Sequence, residues 1–132
     1  MEIILGIDWG SSKIGLAMAD SDMKMAVPWG TVKTVAEVVA IIQENQVDKI
    51  IIGTPMHQSG DLANQEGLAS FVDELKNKID LPIEFIDERL TSKLADKLRN
   101  QAGDRQAKKA MADQDAIAAM LILETYLEKI KM

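Results

Sequence analysis

Cysteine is absent from the 132 residues, which excludes disulfides, thiolate metal sites and a cysteine nucleophile. Proline occurs three times, and there is no low-complexity tract, internal repeat or linker. No apolar run approaches the roughly 20 residues that a membrane span requires. The first ten residues, MEIILGIDWG, carry no basic leader and no cleavage site, so a signal peptide is not expected and a cytoplasmic location is. Net charge is −6 and the sequence pI about 4.7, which argues against wrapping nucleic acid through bulk positive charge. What is present is 47% hydrophobic and 27% charged residues. That composition predicts one domain over residues 1–132, able to remove roughly two-thirds of its surface from water.

The charge is unevenly distributed. Between Arg89 and Lys109 stand seven bases (Arg89, Lys93, Lys97, Arg99, Arg105, Lys108, Lys109) against two acids, a local balance of +5 in an acidic chain. Such a run reads either as a solvated helix face or as a patch that meets a polyanion.

Periodicity predicts the elements. Residues 2–8 are almost wholly apolar, as in a strand covered on both sides. Residues 13–19, KIGLAMA, alternate: Ile14, Leu16 and Met18 share one face, and Gly15, Ala17 and Ala19 make a face of small residues on the other. The two segments should form a hairpin around Gly10-Ser11-Ser12. A short third strand is expected over 25–29, ending near Pro28. Helical spacing appears in 34–45 through Val35, Val38, Val39 and Ile42, and again through Leu68, Phe71, Val72, Leu75 and Ile79. Lys49–Gly53 and Pro82–Ile86 read as buried strands, with a polar loop, TPMHQSGD, after the first. Thr91 can cap a helix to about Gln101, and a last helix should run from about 108 to 130. The order is β-β-β-α-β-α-β-α, which gives a mixed α/β fold: a five-stranded sheet, antiparallel then parallel, with helices on both faces.

Asp8 poses the functional question, because GIDWGSSKIGLA puts an acid at the end of a buried strand. One reading is a phosphate-gripping hairpin, as in the sugar-kinase, actin and heat-shock ATPase superfamily. That architecture closes two such domains around a nucleotide, and only one such hairpin is present here. A structural role, capping the turn, is also open. The third reading is a divalent metal site, which needs further carboxylates at the same sheet edge. Candidates are Asp87 and Glu88 after the fifth strand, and Asp113 and Asp115 in the last helix. Asp115 shares a helical face with Ala118, Ala119 and Ile122, where an ionised acid is costly unless paired or bound to metal. Asp113 fits a first-turn acid favoured by the helix dipole. Asp87 and Glu88 alternate in direction, so one of the two at most belongs to the site.

In this order and spacing, GIDWGSSKIGLA, GTPMHQSG, IDERLTS and KKAMADQDAIAAMLILETYL resemble the YqgF/RuvX family. The resemblance spans about residues 3 to 128. It implies an RNase H-like fold and a nuclease that either trims the 5′ end of precursor 16S ribosomal RNA, in ribosome biogenesis, or resolves Holliday junctions. It matches Asp8, Glu88 and Asp115 to the family's catalytic and metal-holding acids, with Asp87 and Asp113 as additional acids, and implies Mg²⁺ or Mn²⁺, two ions in number. Gly53, Pro55 and Gly60 match its glycine-proline loop. The chain departs from the family at Thr54 and at its one histidine, His57, which is either an exposed loop residue or a contact near the substrate. Arg89, Lys93, Arg105, Lys108 and Lys109 are the expected nucleic-acid contacts. The expected partner is structured RNA or branched DNA, with the pre-ribosome as its setting and no membrane. Monomer and homodimer both remain open, as does a catalytically silent RNA-binding module that has kept the fold.

Overall fold

The computed structural model describes residues 2–10, 12–22, 26–54, 66–87 and 114–130. Its elements are β1 (Ile3–Trp9), β2 (Ile14–Asp20), β3 (Val27–Val32), α1 (Val35–Glu44), β4 (Lys49–Thr54), α2 (Glu66–Lys78), β5 (Ile83–Asp87) and α3 (Gln114–Ile130). The expected helix over 91–101 and the 108–113 start of the last one lie outside the described residues.

The strands form one sheet in the order β3-β2-β1-β4-β5. β1 pairs antiparallel with β2, and β2 with β3; β1 and β4, and β4 and β5, pair in parallel. This is the mixed sheet that the periodicities predict. Short turns can only fold strands back, whereas helical connections return the chain in the same direction.

Alternation along each strand divides the core in two. Leu5, Ile7, Ile14, Leu16, Ile50 and Ile52 pack beneath α1 and α2. Ile4, Ala17, Ala19, Ile51 and Ile86 pack beneath α3, through Ala119, Ile122, Leu123, Tyr126 and Leu127. The small-residue face of β2 is thus the face that receives α3. In α1 the buried set is Val35, Val38, Ile41 and Ile42, so Ile41 takes the core position that spacing gave to Val39, which is only partly buried.

The third strand differs from expectation. It runs to Val32 and carries Pro28 inside it. The strand lies at the sheet edge, where a residue without an N–H leaves no ladder bond unmade. The register passes from Leu16↔Gly30 to Ala17↔Pro28, so Trp29 is an extra, bulged residue. Gly30, at φ +150°, supplies backbone that a side chain would strain. β4 also extends one residue beyond expectation, to Thr54. Among the described residues no helix is long and apolar enough to cross a membrane.

Candidate active site

β1 is the middle strand, and Asp8 is its penultimate residue. Along β1, Ile4, Gly6 and Asp8 fall on the face covered by α3. Asp8 is half-buried and lies opposite Gly15 on β2. On the other side the register Ile7↔Ile52 brings Gly53 of β4 level with it. Both strand neighbours of Asp8 are therefore glycines, and this end of the sheet carries an acid between two positions that lack side chains.

α3 runs antiparallel to β1 across this face. Its Ala119 and Leu123 lie against Gly6. Further along, Tyr126 reaches Lys49 at the opposite end of the sheet, where Lys49 Nζ donates to the tyrosine hydroxyl at 2.7 Å. Asp8 lies two positions beyond Gly6, a rise of about 6.8 Å. Asp115 lies four positions before Ala119, a rise of about 6 Å in the same direction. The first turn of α3, with Asp115 in it, therefore comes to the Asp8 end of the sheet, although 107 positions separate these acids in the sequence.

β5 is two strands from β1, about 9.6 Å at ordinary spacing. Ile86 packs under α3, and Asp87, the last strand residue, pairs in register with Thr54. Asp87 thus falls in the alternation of Ile83 and Phe85, opposite to that of Ile86. Glu88 follows it and lies outside the described residues, as do His57, Arg89, Lys93, Arg105, Lys108, Lys109 and Asp113. Among the described residues no three acids or histidines cluster. Thr54 is not a loop residue. It is buried at the end of β4, and its hydroxyl donates to the Ile86 carbonyl at 3.3 Å, tying the end of β5 to its neighbour.

Three features were not read from the sequence. Lys13 stands exposed where the β1–β2 hairpin returns, beside the Asp8 edge; a lone base in a turn gives no signal. Trp9 packs so closely on α2 that a Cβ on Gly67 would overlap its indole, which holds the start of α2 against the end of β1. At the far end, Lys49 bridges Glu84 at 2.8 Å and lies 4.9 Å from the centre of the Tyr126 ring. The Glu84 hydrogen bond, then that of Tyr126, raises the Lys49 pKa well above its ordinary value. The same ammonium holds the Glu84 carboxyl below its ordinary range.

The donors on offer are carboxylate oxygens, with no thiol in the chain and one histidine. That set fits hard cations such as Mg²⁺ or Mn²⁺ and does not suit a zinc site.

Comparison with known proteins agrees with this architecture. The family model described as RuvX, Holliday junction resolvase, matches residues 2–129. A Chloroflexus aurantiacus protein named "Putative pre-16S rRNA nuclease" is 36% identical over 135 residues, covering 96% of this chain and 87% of its own. A Rickettsia africae protein of the same name is also 36% identical, covering 97% and 87%. Among solved structures, RuvC from Thermus thermophilus superposes with a TM-score of 0.62 at 15% identity, covering 98% of this chain and 96% of that one. RuvC in complex with a Holliday junction substrate gives 0.51 at 18% identity, over 66% and 64%. The sheet and helices described above are thus arranged as in RuvC, an RNase H-like fold.

Proposed function

The chain belongs to the RuvX Holliday junction resolvase family, and on that basis we propose that it is a divalent-metal-dependent nuclease that hydrolyses phosphodiester bonds in structured RNA, trimming the 5′ end of precursor 16S ribosomal RNA in the cytoplasm. The observation that carries this reading is the placement of Asp8 between two strand glycines, under the turn of α3 that contains Asp115. The name shared by the 36% identical relatives favours RNA as substrate.

Asp8, Glu88 and Asp115 would hold two Mg²⁺ or Mn²⁺ ions, with Asp87 and Asp113 as additional acids. The DERLT motif, which matches Glu88 to the family's acid, favours it over Asp87. When bound, such ions supply Lewis acidity toward water and phosphate oxygens. The chain's own contribution is to fix Asp8 on a central strand and to flank it with glycines, which bring no side chain to crowd a phosphodiester. Arg89, Lys93, Arg105, Lys108 and Lys109 grip the substrate backbone, and Lys13 extends that grip to the hairpin. His57, three positions after Thr54, is a further candidate for substrate contact. One domain, acting as monomer or homodimer, suffices for RNA trimming.

A second reading, resolution of four-way DNA junctions, is favoured by the family description itself. It requires two active sites acting together. Cleavage of precursor 16S RNA and of a four-way DNA junction, side by side in Mg²⁺ and Mn²⁺, decides between them. Trimming of the RNA alone is the expected result. Cleavage of the junction alone would transfer the assignment to DNA, and cleavage of neither would leave a binding module.

A further inference from the structure

We propose that Gly6 is a positioning residue: its missing side chain sets how closely α3, and with it Asp115, approaches Asp8. This rests on reading Asp8 and Asp115 as partners in one site. Glycine in a strand interior weakens the strand, so its presence needs a reason. Conformation is not the reason, because among the described residues the one glycine with a positive φ is Gly30. Contact is. A Cβ at Gly6 would stand 3.0 Å from the Ala119 carbonyl oxygen, 3.0 Å from Leu123 Cβ and 3.4 Å from Leu123 Cδ2. The first two belong to the helix backbone or are fixed rigidly to it, so no rotamer change makes room. The helix itself must give by a few tenths of an ångström.

The neighbourhood is built for this approach. Ala17 on β2 pairs with Gly6 and is fully buried under α3, and Ala119, on the face of α3 that meets the sheet, is fully buried too. The far end of α3 is fastened to the sheet through Tyr126, Lys49 and Glu84. A helix held at Tyr126 and pushed at Ala119 pivots, so the displacement grows toward its first turn, where Asp115 sits. Gly6 is two positions from Asp8 and Ala119 four from Asp115, so the contact lies about one helical turn from the end of the sheet where the proposed pair stands. A metal ion with Mg²⁺–oxygen distances of about 2.0–2.1 Å tolerates little widening.

The test is Gly6→Ala, with Val38→Ala as a control that loosens the opposite face of the sheet, where Val38 is fully buried under α1. Three quantities are read: the Asp8–Asp115 Cα separation in a crystal structure, Mn²⁺ affinity by calorimetry without nucleic acid, and Tm. Gly6→Ala should widen the separation and weaken Mn²⁺ binding at least tenfold. Val38→Ala should lower Tm by as much or more and leave Mn²⁺ affinity within twofold. If Gly6→Ala is too unstable to study in plain buffer, all three quantities are read for parent and both variants in sucrose, which favours the compact state of each alike. An unchanged separation, or Mn²⁺ affinity that merely follows Tm in both variants, overturns the proposal. Failure of the parent protein to bind Mn²⁺ would instead remove the paired-acid reading, while the Cα separation still decides whether Gly6 is the spacer.

Discussion

Asp8 occupies a position where chemistry and local structure make opposite predictions. As a cap for the hairpin turn, it could become asparagine with a small loss of stability and none of function. As a metal ligand among converging carboxylates, the same change should cut Mn²⁺ affinity and cleavage together by at least a hundredfold. The metal-free Tm would then hold or rise, because removing one negative charge relieves repulsion. The second outcome is expected for Asp8→Asn, and wild-type cleavage at equal Mg²⁺ would end the metal-site reading. Glu84 offers a contrasting residue, distant from the site. Its half-exposed carboxylate lies 2.8 Å from Lys49 Nζ, and that hydrogen bond lowers its pKa from the ordinary 4.5. A depressed carboxylate stabilises the fold above its unfolded pKa and loses that contribution as pH falls through the folded value. Solvent limits the pair to about 0.5 kcal/mol, or about 2 °C in Tm. Glu84→Gln should therefore melt slightly below the parent at pH 7, and the gap should close as pH is lowered from about 5 toward 3. On the alkaline side Lys49 stays charged beyond its ordinary 10.5, so the gap should persist to about pH 10. A gap that widened in acid would contradict the ion pair.

Among the elements, α1 shows most plainly how local sequence sets boundaries. Thr34 caps it, accepting from the Glu37 N–H at 3.2 Å, while the Glu37 carboxylate accepts from the Lys33 N–H at 3.3 Å. At the other end the Val47 N–H bonds Ile42 O at 3.1 Å and the Gln46 N–H bonds Gln43 O at 3.4 Å. This is a Schellman ending with Gln46 at φ 53°, where glycine is the usual residue. Gln46→Gly removes the left-handed strain at some cost in unfolded-chain entropy, and should raise stability by about 0.5 kcal/mol. Thermal melting checks this; a lower Tm would mean that the Gln46 side chain matters more than its backbone. β3 teaches a different lesson. Pro28 reads as a strand end in sequence, yet the strand continues to Val32 because an edge has no neighbour awaiting that N–H.

For the molecule as a whole, the balance of charge is the functional constraint. An acidic chain of net −6 must confine its attraction for a polyanion to one stretch, and residues 89–109 carry +5. Each lysine or arginine on a phosphate contributes about 0.7–0.9 to the slope of log affinity against log salt. Replacing Arg105, Lys108 and Lys109 with alanine should weaken binding to every RNA sequence and flatten that slope by about 2 if all three touch phosphate. Tm should remain within a degree or two of the parent. An unaltered slope would show that this stretch does not meet the backbone. Metal should act on the whole molecule as well: Mn²⁺ binding to the folded state alone raises Tm with concentration, and Asp8→Asn should abolish that rise.

The element order, the two faces of β2, the seam of α2 through Leu68, Phe71, Val72 and Leu75, and the acids worth weighing were all legible in the sequence. Each of these is written in local periodicity, because strands and helices repeat over two and 3.6 residues wherever they lie. The motifs around Asp8, Glu88 and Asp115 also carried the family. The tertiary structure was needed to show where the parallel strands join the sheet, with β4 between β1 and β5. It decided that the small face of β2 receives α3, that Trp9 rests on Gly67, and that Thr54 ends β4 as a buried tie to β5. It also joined Lys49 to Tyr126 across 77 positions. No short-range pattern records such pairings. They follow from packing two layers of helices on one sheet, where a contact depends on the volume of both partners and on every element between them.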